Sequence, residues 1–229
     1  MGKNQVKKIK KALRKVWWFI WEDNSVWSWI VNIILAFVII KFLVYPGLGF
    51  MLGTTHPVVA VVSSSMEHNS VPICVKHSGG KCVLYKEGKY GVCGYEINEG
   101  KFLDLDEFYK ICGGWYEENT GITKEQFREF RFSNGFNKGD IMVLANADNV
   151  NVGDIIVFYV EHRPDPIIHR VVGITEKGYT TKGDHNHDSA EFEEDIEKDK
   201  VIGKAVMRVP LLGWIKIGFM GLLRLFAGG

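Results

Sequence analysis

The sequence is short of the features that mark several common protein classes. It has no internal repeat and no low-complexity tract, and its formal net charge is only +1 over 229 residues, so we expect no nucleic-acid partner. It holds only four cysteines, Cys74, Cys82, Cys93 and Cys112, and none are in the paired C-x2-C spacing of a zinc site. What remains is enough chain, residues 53–209, for one domain with a core of its own.

The near-zero net charge hides an uneven distribution at the N-terminus. Seven basic residues precede Trp27, against two acidic ones, and an apolar stretch then runs over 27–52. That stretch exceeds the roughly 20 residues a helix needs to cross a bilayer core. It is also longer than the core of a cleaved signal peptide, and no small-x-small cleavage site follows closely. The flanking charges and tryptophans disfavour a buried helix of a soluble protein. We therefore predict a cytoplasmic segment 1–26, a retained transmembrane anchor 27–52 and an exported remainder.

The exported part is predicted to be mainly β. Short β-branched, apolar segments bounded by turn residues such as Gly139-Asp140 and Gly153-Asp154 are typical of strands. Six segments fit this description: 57–62, 140–144, 154–160, 167–174, 178–181 and 200–209.

The character changes over 70–137, which we interpret as an insertion or small subdomain within the exported domain. Segments 105–112 and 123–130 predict short helices, the second with Thr123 as its N-cap and Gln126 three residues on. All four cysteines fall inside the insertion. In an oxidising location two disulfides are favoured over free thiols or a metal site, and four cysteines leave three pairings open.

The C-terminal segment 210–229 is apolar but carries Lys216 and Arg224. An interfacial segment with snorkelling cations is favoured over a second membrane crossing, because Lys216 would lie well inside the apolar layer.

A candidate nucleophile and a candidate base stand far apart in the sequence. The predicted strand 57–62 leads into Ser63-Ser64-Ser65, and His169 lies within a β-branched segment. A serine needs a base to take its proton, and imidazole can accept a proton and return it. Ser63 is a candidate oxyanion donor, and Asp184 or Asp188 is a candidate partner for His169. A polar turn and a structural histidine are the ordinary alternatives for each residue taken singly.

Segment 184–188 has an alternative interpretation as a metal site, because His185 and His187 could bind a divalent metal. No third histidine or nearby cysteine is evident, so we expect neither metal nor cofactor.

Taken in order, these segments resemble type I signal peptidase, a membrane-anchored serine endopeptidase. Ser63-Ser64-Ser65-Met66-Glu67 resembles the nucleophile box of that family, and Ile168-His169-Arg170-Val171-Val172-Gly173 resembles the box of its base. The base is histidine, as in archaeal and endoplasmic-reticulum members, rather than the bacterial lysine. The two Gly-Asp segments, Lys182-Gly183-Asp184-His185-Asn186 and the segment from Gly203 to Gly213 resemble the remaining boxes.

Two departures from the family pattern stand out. His68 occupies a position where the family usually has proline, and Asp188 follows Asp184 by four residues rather than five or six. The choice between the two aspartates therefore stays open. The insertion has no counterpart in the smallest members of the family.

The resemblance implies that Ser65 is the nucleophile, that His169 is the base and that Ser63 assists the oxyanion hole. It also implies cleavage of signal peptides from exported preproteins at small-x-small sites. Expected partners are preproteins, membrane lipid and the protein translocation machinery. An archaeal cytoplasmic membrane is favoured over the endoplasmic reticulum. The rival interpretations are a processing protease for a few exported proteins, a catalytically silent membrane-anchored binding module, and a metalloprotease using His185 and His187.

Overall fold

The computed structural model describes residues 3–78, 81–161, 163, 165–215 and 217–218. The chain divides into two compact units between Met51 and Leu52. The first unit contains helix α1 (Lys3–Trp21), helix α2 (Val26–Ile39), a π-helical turn (Ile40–Val44) and all but the last residue of helix α3 (Tyr45–Leu52).

A continuous helical segment, Val26–Leu52, is long and apolar enough to cross a membrane. Ser25 caps its start by accepting a hydrogen bond from the backbone of Ser28. The side-chain amide of Asn32, a polar residue within the apolar run, donates to the carbonyl of Ile20 at 2.8 Å. The prediction of an apolar N-terminal helix is confirmed, and its assigned bounds as an anchor stay a prediction.

The second unit is built on a six-stranded antiparallel sheet. Its strands are β1 (Val58–Ala60), β5 (Ile141–Ala145), β6 (Ile155–Phe158), β7 (Ile167–Ile174), β8 (Tyr179–Lys182) and β9 (Val201–Val209), in the order β1-β5-β9-β6-β7-β8. All six strands predicted from the sequence are present, with small shifts at their ends. The prediction of a mainly β domain is confirmed.

The two faces of this sheet carry different hydrophobic cores. Successive residues of a strand point to opposite faces, so Ile155 and Val157 join one cluster, while Ile156 and Phe158 join another. The same alternation separates neighbours in β7. His169 pairs with Ile156 across the ladder and shares its face, and Arg170 is directed to the other face.

The insertion (residues 70–137) forms a second sheet and two helices. The sheet contains β2 (Val71–Ser78), β3 (Lys81–Val92) and β4 (Tyr95–Ile97), which the sequence did not predict. Both predicted helices are present as α4 (Leu105–Thr120) and α5 (Lys124–Glu129), and Thr123 caps α5 in a capping box with Gln126. The four cysteines form two disulfides, as predicted, and the pairing that the sequence left open is Cys74–Cys82 and Cys93–Cys112.

The core of the insertion is largely aromatic and is continuous with the main sheet. Phe108, Tyr116 and Phe127 are fully buried in a cluster that also contains Val172 of β7. The predicted interfacial segment 210–229 lies largely outside the described residues and stays a prediction.

Candidate active site

The turn that carries Ser65 is fixed from both sides. Val61, just before it, donates its backbone N–H to the Asp140 carbonyl and accepts from Gly139. Just after Ser65, the side chain of Met66 is only 1% exposed and anchors the turn in the core beneath β5 and β6. The Ser65 side chain, between these anchors, stays partly exposed.

The structure brings Ser65 and His169 together across 104 residues of sequence. Nε2 of His169 lies 2.8 Å from Oγ of Ser65, within hydrogen-bonding distance. Oγ of Ser63 lies 3.0 Å from the same Ser65 hydroxyl. The His169 side chain is only 7% exposed, so its contacts are fixed by the protein rather than by solvent.

A glycine makes this close approach feasible. A Cβ at Gly183 would lie 2.8 Å from Nε2 of His169 and 2.9 Å from the carbonyl oxygen of Ser65. No side chain fits there without displacing the pair. The next peptide adds a hydrogen bond, because the backbone N–H of His185 donates to the Ser65 carbonyl at 2.8 Å.

The other nitrogen of His169, Nδ1, contacts the carboxylate of Glu193. Glu193 is fully buried in a short 3₁₀ turn, Glu191–Glu193. Its carboxylate also accepts hydrogen bonds from the Thr181 hydroxyl at 3.2 Å and from the Ala190 backbone N–H at 3.0 Å. The acceptor at Nδ1 places a proton on that nitrogen, which leaves Nε2 free to accept one from Ser65.

Neither aspartate considered from the sequence lies at His169. Asp184 is fully buried on the opposite face of β7, where Arg170 donates to both of its oxygens at 2.9 and 2.7 Å. Asp188 is exposed and accepts from the indole N–H of Trp115 at 2.7 Å. The strand alternation explains this correction: a carboxylate that pairs with Arg170 cannot also reach the neighbouring His169.

Glu193 could not be singled out from the sequence because several carboxylates surround it. It stands in the acidic run Glu191-Phe192-Glu193-Glu194-Asp195, where no spacing distinguishes one carboxylate from the next. Only the turn at 191–193 buries Glu193 and leaves Glu191 and Glu194 exposed.

The charge of Asp184 is stabilised inside the protein. Burial alone would raise the pKa of this carboxyl, but the Arg170 charge and the hydrogen bonds from His68 and Arg170 hold it well below its usual range. His68 donates from Nε2 to the Asp184 carboxylate at 3.1 Å, and burial lowers the pKa of its imidazole. His68, the departure from the family pattern, is thus a buried neutral donor.

A cavity of about 340 Å³ opens beside the Ser65–His169 pair. Its apolar lining includes Ala60, Val62 and Ile168, and Phe192 lies at its edge with the Arg163 guanidinium 4.5 Å from the ring centre. The cavity borders the nucleophile with apolar side chains and is open to solvent, as a site for an extended peptide requires.

The two histidines considered as metal ligands have other roles in the described part of the chain. Nδ1 of His185 donates to the Glu67 carbonyl at 3.1 Å, and the His187 ring packs beside Tyr95. No group of three or more His, Cys, Asp or Glu side chains able to hold a metal is found among the residues described.

A partly exposed serine, an imidazole bonded to it and a buried carboxylate on the far nitrogen form the arrangement of a serine hydrolase. Comparison with known proteins gives a narrower result, although no family model matches the chain. It is 37% identical over 94 residues to the signal peptidase complex catalytic subunit SEC11C of Homo sapiens, covering 36% of this chain and 49% of that protein. It is 33% identical over 113 residues to the SEC11 catalytic subunit of Fusarium vanettenii, covering 38% and 66%.

A third relative is the putative signal peptidase complex catalytic subunit SEC11B of Homo sapiens, 38% identical over 90 residues. The chain spans about half the length of the human relatives it matches. Over about a third of its own length it is homologous to catalytic subunits of the signal peptidase complex, which confirms the resemblance found in the sequence boxes. These relatives come from mammals and a fungus, so they give no support to the archaeal membrane favoured from the sequence.

Proposed function

We propose that this protein is a membrane-anchored serine endopeptidase that removes N-terminal signal peptides from exported preproteins. The observation that carries the proposal is the continuous hydrogen-bonded line from Ser65 through His169 to Glu193. The related catalytic subunits support the choice of signal peptides among the substrates of serine hydrolases.

In the first half of the reaction, Ser65 attacks the carbonyl carbon of the scissile peptide bond and its proton passes to Nε2 of His169. The resulting oxyanion needs hydrogen-bond donors, and we assign the Ser63 hydroxyl and backbone N–H groups of the same turn to this role. The C–N bond then breaks as His169 gives the proton to the leaving amine. An acyl ester on Ser65 remains.

In the second half, water attacks the acyl ester while His169 takes its proton. The tetrahedral intermediate collapses, Ser65 leaves with that proton, and the carboxylate end of the signal peptide is released. Through both halves we propose that Glu193 orients the ring and stabilises the imidazolium, in the role first considered for Asp184 or Asp188.

The cavity beside Ser65 supports a substrate with small side chains near the cut, since Ala60, Val62 and Ile168 offer apolar contacts in a limited volume. The helix Val26–Leu52 supports a location at a membrane, where such preproteins are presented. Preproteins, membrane lipid and the translocation machinery are the proposed partners.

The test is cleavage of a purified preprotein by the full chain in liposomes, with the cut located by mass spectrometry. Cleavage after a small-x-small site, lost when the residue before the cut is replaced by a bulky one, supports the proposal. A folded, liposome-inserted protein that cleaves none of a panel of unrelated preproteins contradicts it. Cleavage of a single panel member favours a dedicated processing protease instead.

A further inference from the structure

We propose that Tyr116, supplied by the insertion, is a positioning residue for the Ser65–His169 pair and acts through the carboxylate of Asp184. The expected effect on kcat rests on the proposed function, whereas the expected effect on the position of His169 rests on the contacts alone. Tyr116 thereby gives helix α4 a role.

The first step is the contact between the insertion and Asp184. The Tyr116 hydroxyl donates to Oδ1 of Asp184 at 3.0 Å, and both side chains are fully buried. Burial and the nearby Asp184 charge raise the pKa of Tyr116, so its hydroxyl stays protonated and remains a donor. A hydrogen bond from a buried hydroxyl to a carboxylate is among the stronger kinds.

The residues on either side of Asp184 connect it to Ser65 and His169. Asp184 lies between Gly183, which packs against Nε2 of His169, and His185, whose backbone N–H bonds the Ser65 carbonyl. A shift of the Asp184 backbone therefore moves two groups that touch the reacting pair. Because Gly183 has no side chain and no spare room, even a small shift changes the distance between Ser65 and His169.

The third step is that the same carboxylate holds the far side of the nucleophile turn. His68, three residues after Ser65, donates to Oδ2 of Asp184, and its ring stacks on Phe108 of α4 at 3.6 Å between centroids. Helix α4 thus contacts the loop at Asp184 through Tyr116. It contacts the turn that follows Ser65 through Phe108, whose ring stacks on His68. A side chain at position 116 that merely filled the core would not need the hydrogen bond to Asp184.

The experiment compares Tyr116→Phe with the matched control Tyr109→Phe in the full chain. Tyr109 lies on the same helix and in the same core, and its nearly buried hydroxyl donates to the Ile122 carbonyl within the insertion, at 2.6 Å. Each variant loses one hydroxyl and keeps its ring. The readouts are kcat and KM for a preprotein, and the NMR resonances of the His169 ring.

We expect Tyr116→Phe to lower kcat on the order of tenfold with KM unchanged, as misplacement of a reacting group does. Its His169 resonances should move, while Tyr109→Phe keeps wild-type kcat and wild-type resonances. A Tyr116→Phe protein with the kcat and the His169 spectrum of the control overturns the inference.

The experiment also decides the question if the wild type is inactive or if Tyr116→Phe does not fold. If the wild type cleaves nothing, the proposed function fails, and the His169 spectrum alone decides whether Tyr116 positions the pair. If Tyr116→Phe does not fold, Phe108→Leu is judged by the same readouts, since it removes the ring stacked on His68 and keeps an apolar side chain. A folded Phe108→Leu with wild-type values overturns the inference.

Discussion

The buried carboxylate of Glu193 contacts Nδ1 of His169, and the opposite nitrogen of the same ring lies 2.8 Å from the hydroxyl of Ser65. Glu193 in turn receives hydrogen bonds from Thr181 and from the backbone of Ala190, which fix the carboxylate before any substrate arrives. The ring is therefore held in one orientation and one tautomer by a carboxylate that is fully buried.

This relationship predicts that Glu193→Gln is severely impaired. An amide cannot balance the positive imidazolium and can favour the wrong tautomer, so kcat should fall roughly 10³- to 10⁴-fold with little change in melting temperature. The controls are Glu191→Gln, in the same short turn but exposed, and Asp188→Asn, which tests the assignment made from sequence. Loss of activity in Asp188→Asn with near-normal Glu193→Gln would show that the acid has been assigned to the wrong residue.

The two disulfides should differ in their effect on activity. Cys93 lies against the loop at the nucleophile: its Sγ is 3.2 Å from the Asp184 carbonyl oxygen, and its N–H donates to the His185 carbonyl. Replacing Cys93 and Cys112 together by serine should cost about 2–4 kcal/mol of stability and lower kcat.

The matched control is the double serine variant of Cys74 and Cys82, whose disulfide joins the two strands of the β2–β3 hairpin. It should keep wild-type kcat. Preprotein cleavage rates and thermal unfolding of both variants check the prediction, and equal kcat in the two would contradict it.

Lys182 predicts a pH dependence of stability. Its ammonium group lies about 5 Å from the ring centres of Trp115 and Tyr116 and donates to the Gly183 and Asn186 carbonyls. Burial lowers the pKa of Lys182 from 10.5 to about 8. Between these values the unfolded chain holds more protons than the folded one, so this contribution to stability rises with pH across the window.

The measurement is the free energy of unfolding of the wild type and of Lys182→Met as a function of pH. From about pH 8 to about pH 9.5 the difference should shift in favour of the wild type by roughly 2 kcal/mol. Taking the difference cancels the contributions of the other lysines. Parallel curves for the two proteins would mean that Lys182 titrates in the folded state as it does in the unfolded chain.

Most strands could be predicted because they depend on local pattern, and the sequence boxes also led to Ser65 and His169 as the candidate nucleophile and base. Segment 167–174 is β-branched on both sides of His169, and it forms a strand with those bounds. Strand β3 was missed because Lys81–Val92 mixes lysines, a glutamate and glycines with its apolar residues, and β3 is held by its pairing with β2 and β4.

The partners of His169 and Asp184 could not be predicted, because each depends on contacts between distant segments. Glu193 reaches the imidazole only through the turn at 191–193, and Asp184 is drawn to the opposite sheet face by Arg170. Tyr116 joins them from a helix that the sequence predicted only as far as residue 112. The sequence pattern led to the candidate nucleophile and base, and tertiary packing decides which side chains surround them.

The catalytic role of Ser65 and His169 is tested most directly by comparing preprotein cleavage by the wild type, Ser65→Ala, His169→Ala and the neighbouring-serine control Ser64→Ala, all in liposomes. If Ser65 and His169 are the nucleophile and base, the wild type and Ser64→Ala cleave at one small-x-small site, and the other two variants cleave nothing despite normal melting temperatures. Cleavage by a folded Ser65→Ala protein at the wild-type rate would contradict the assignment of Ser65 as the nucleophile.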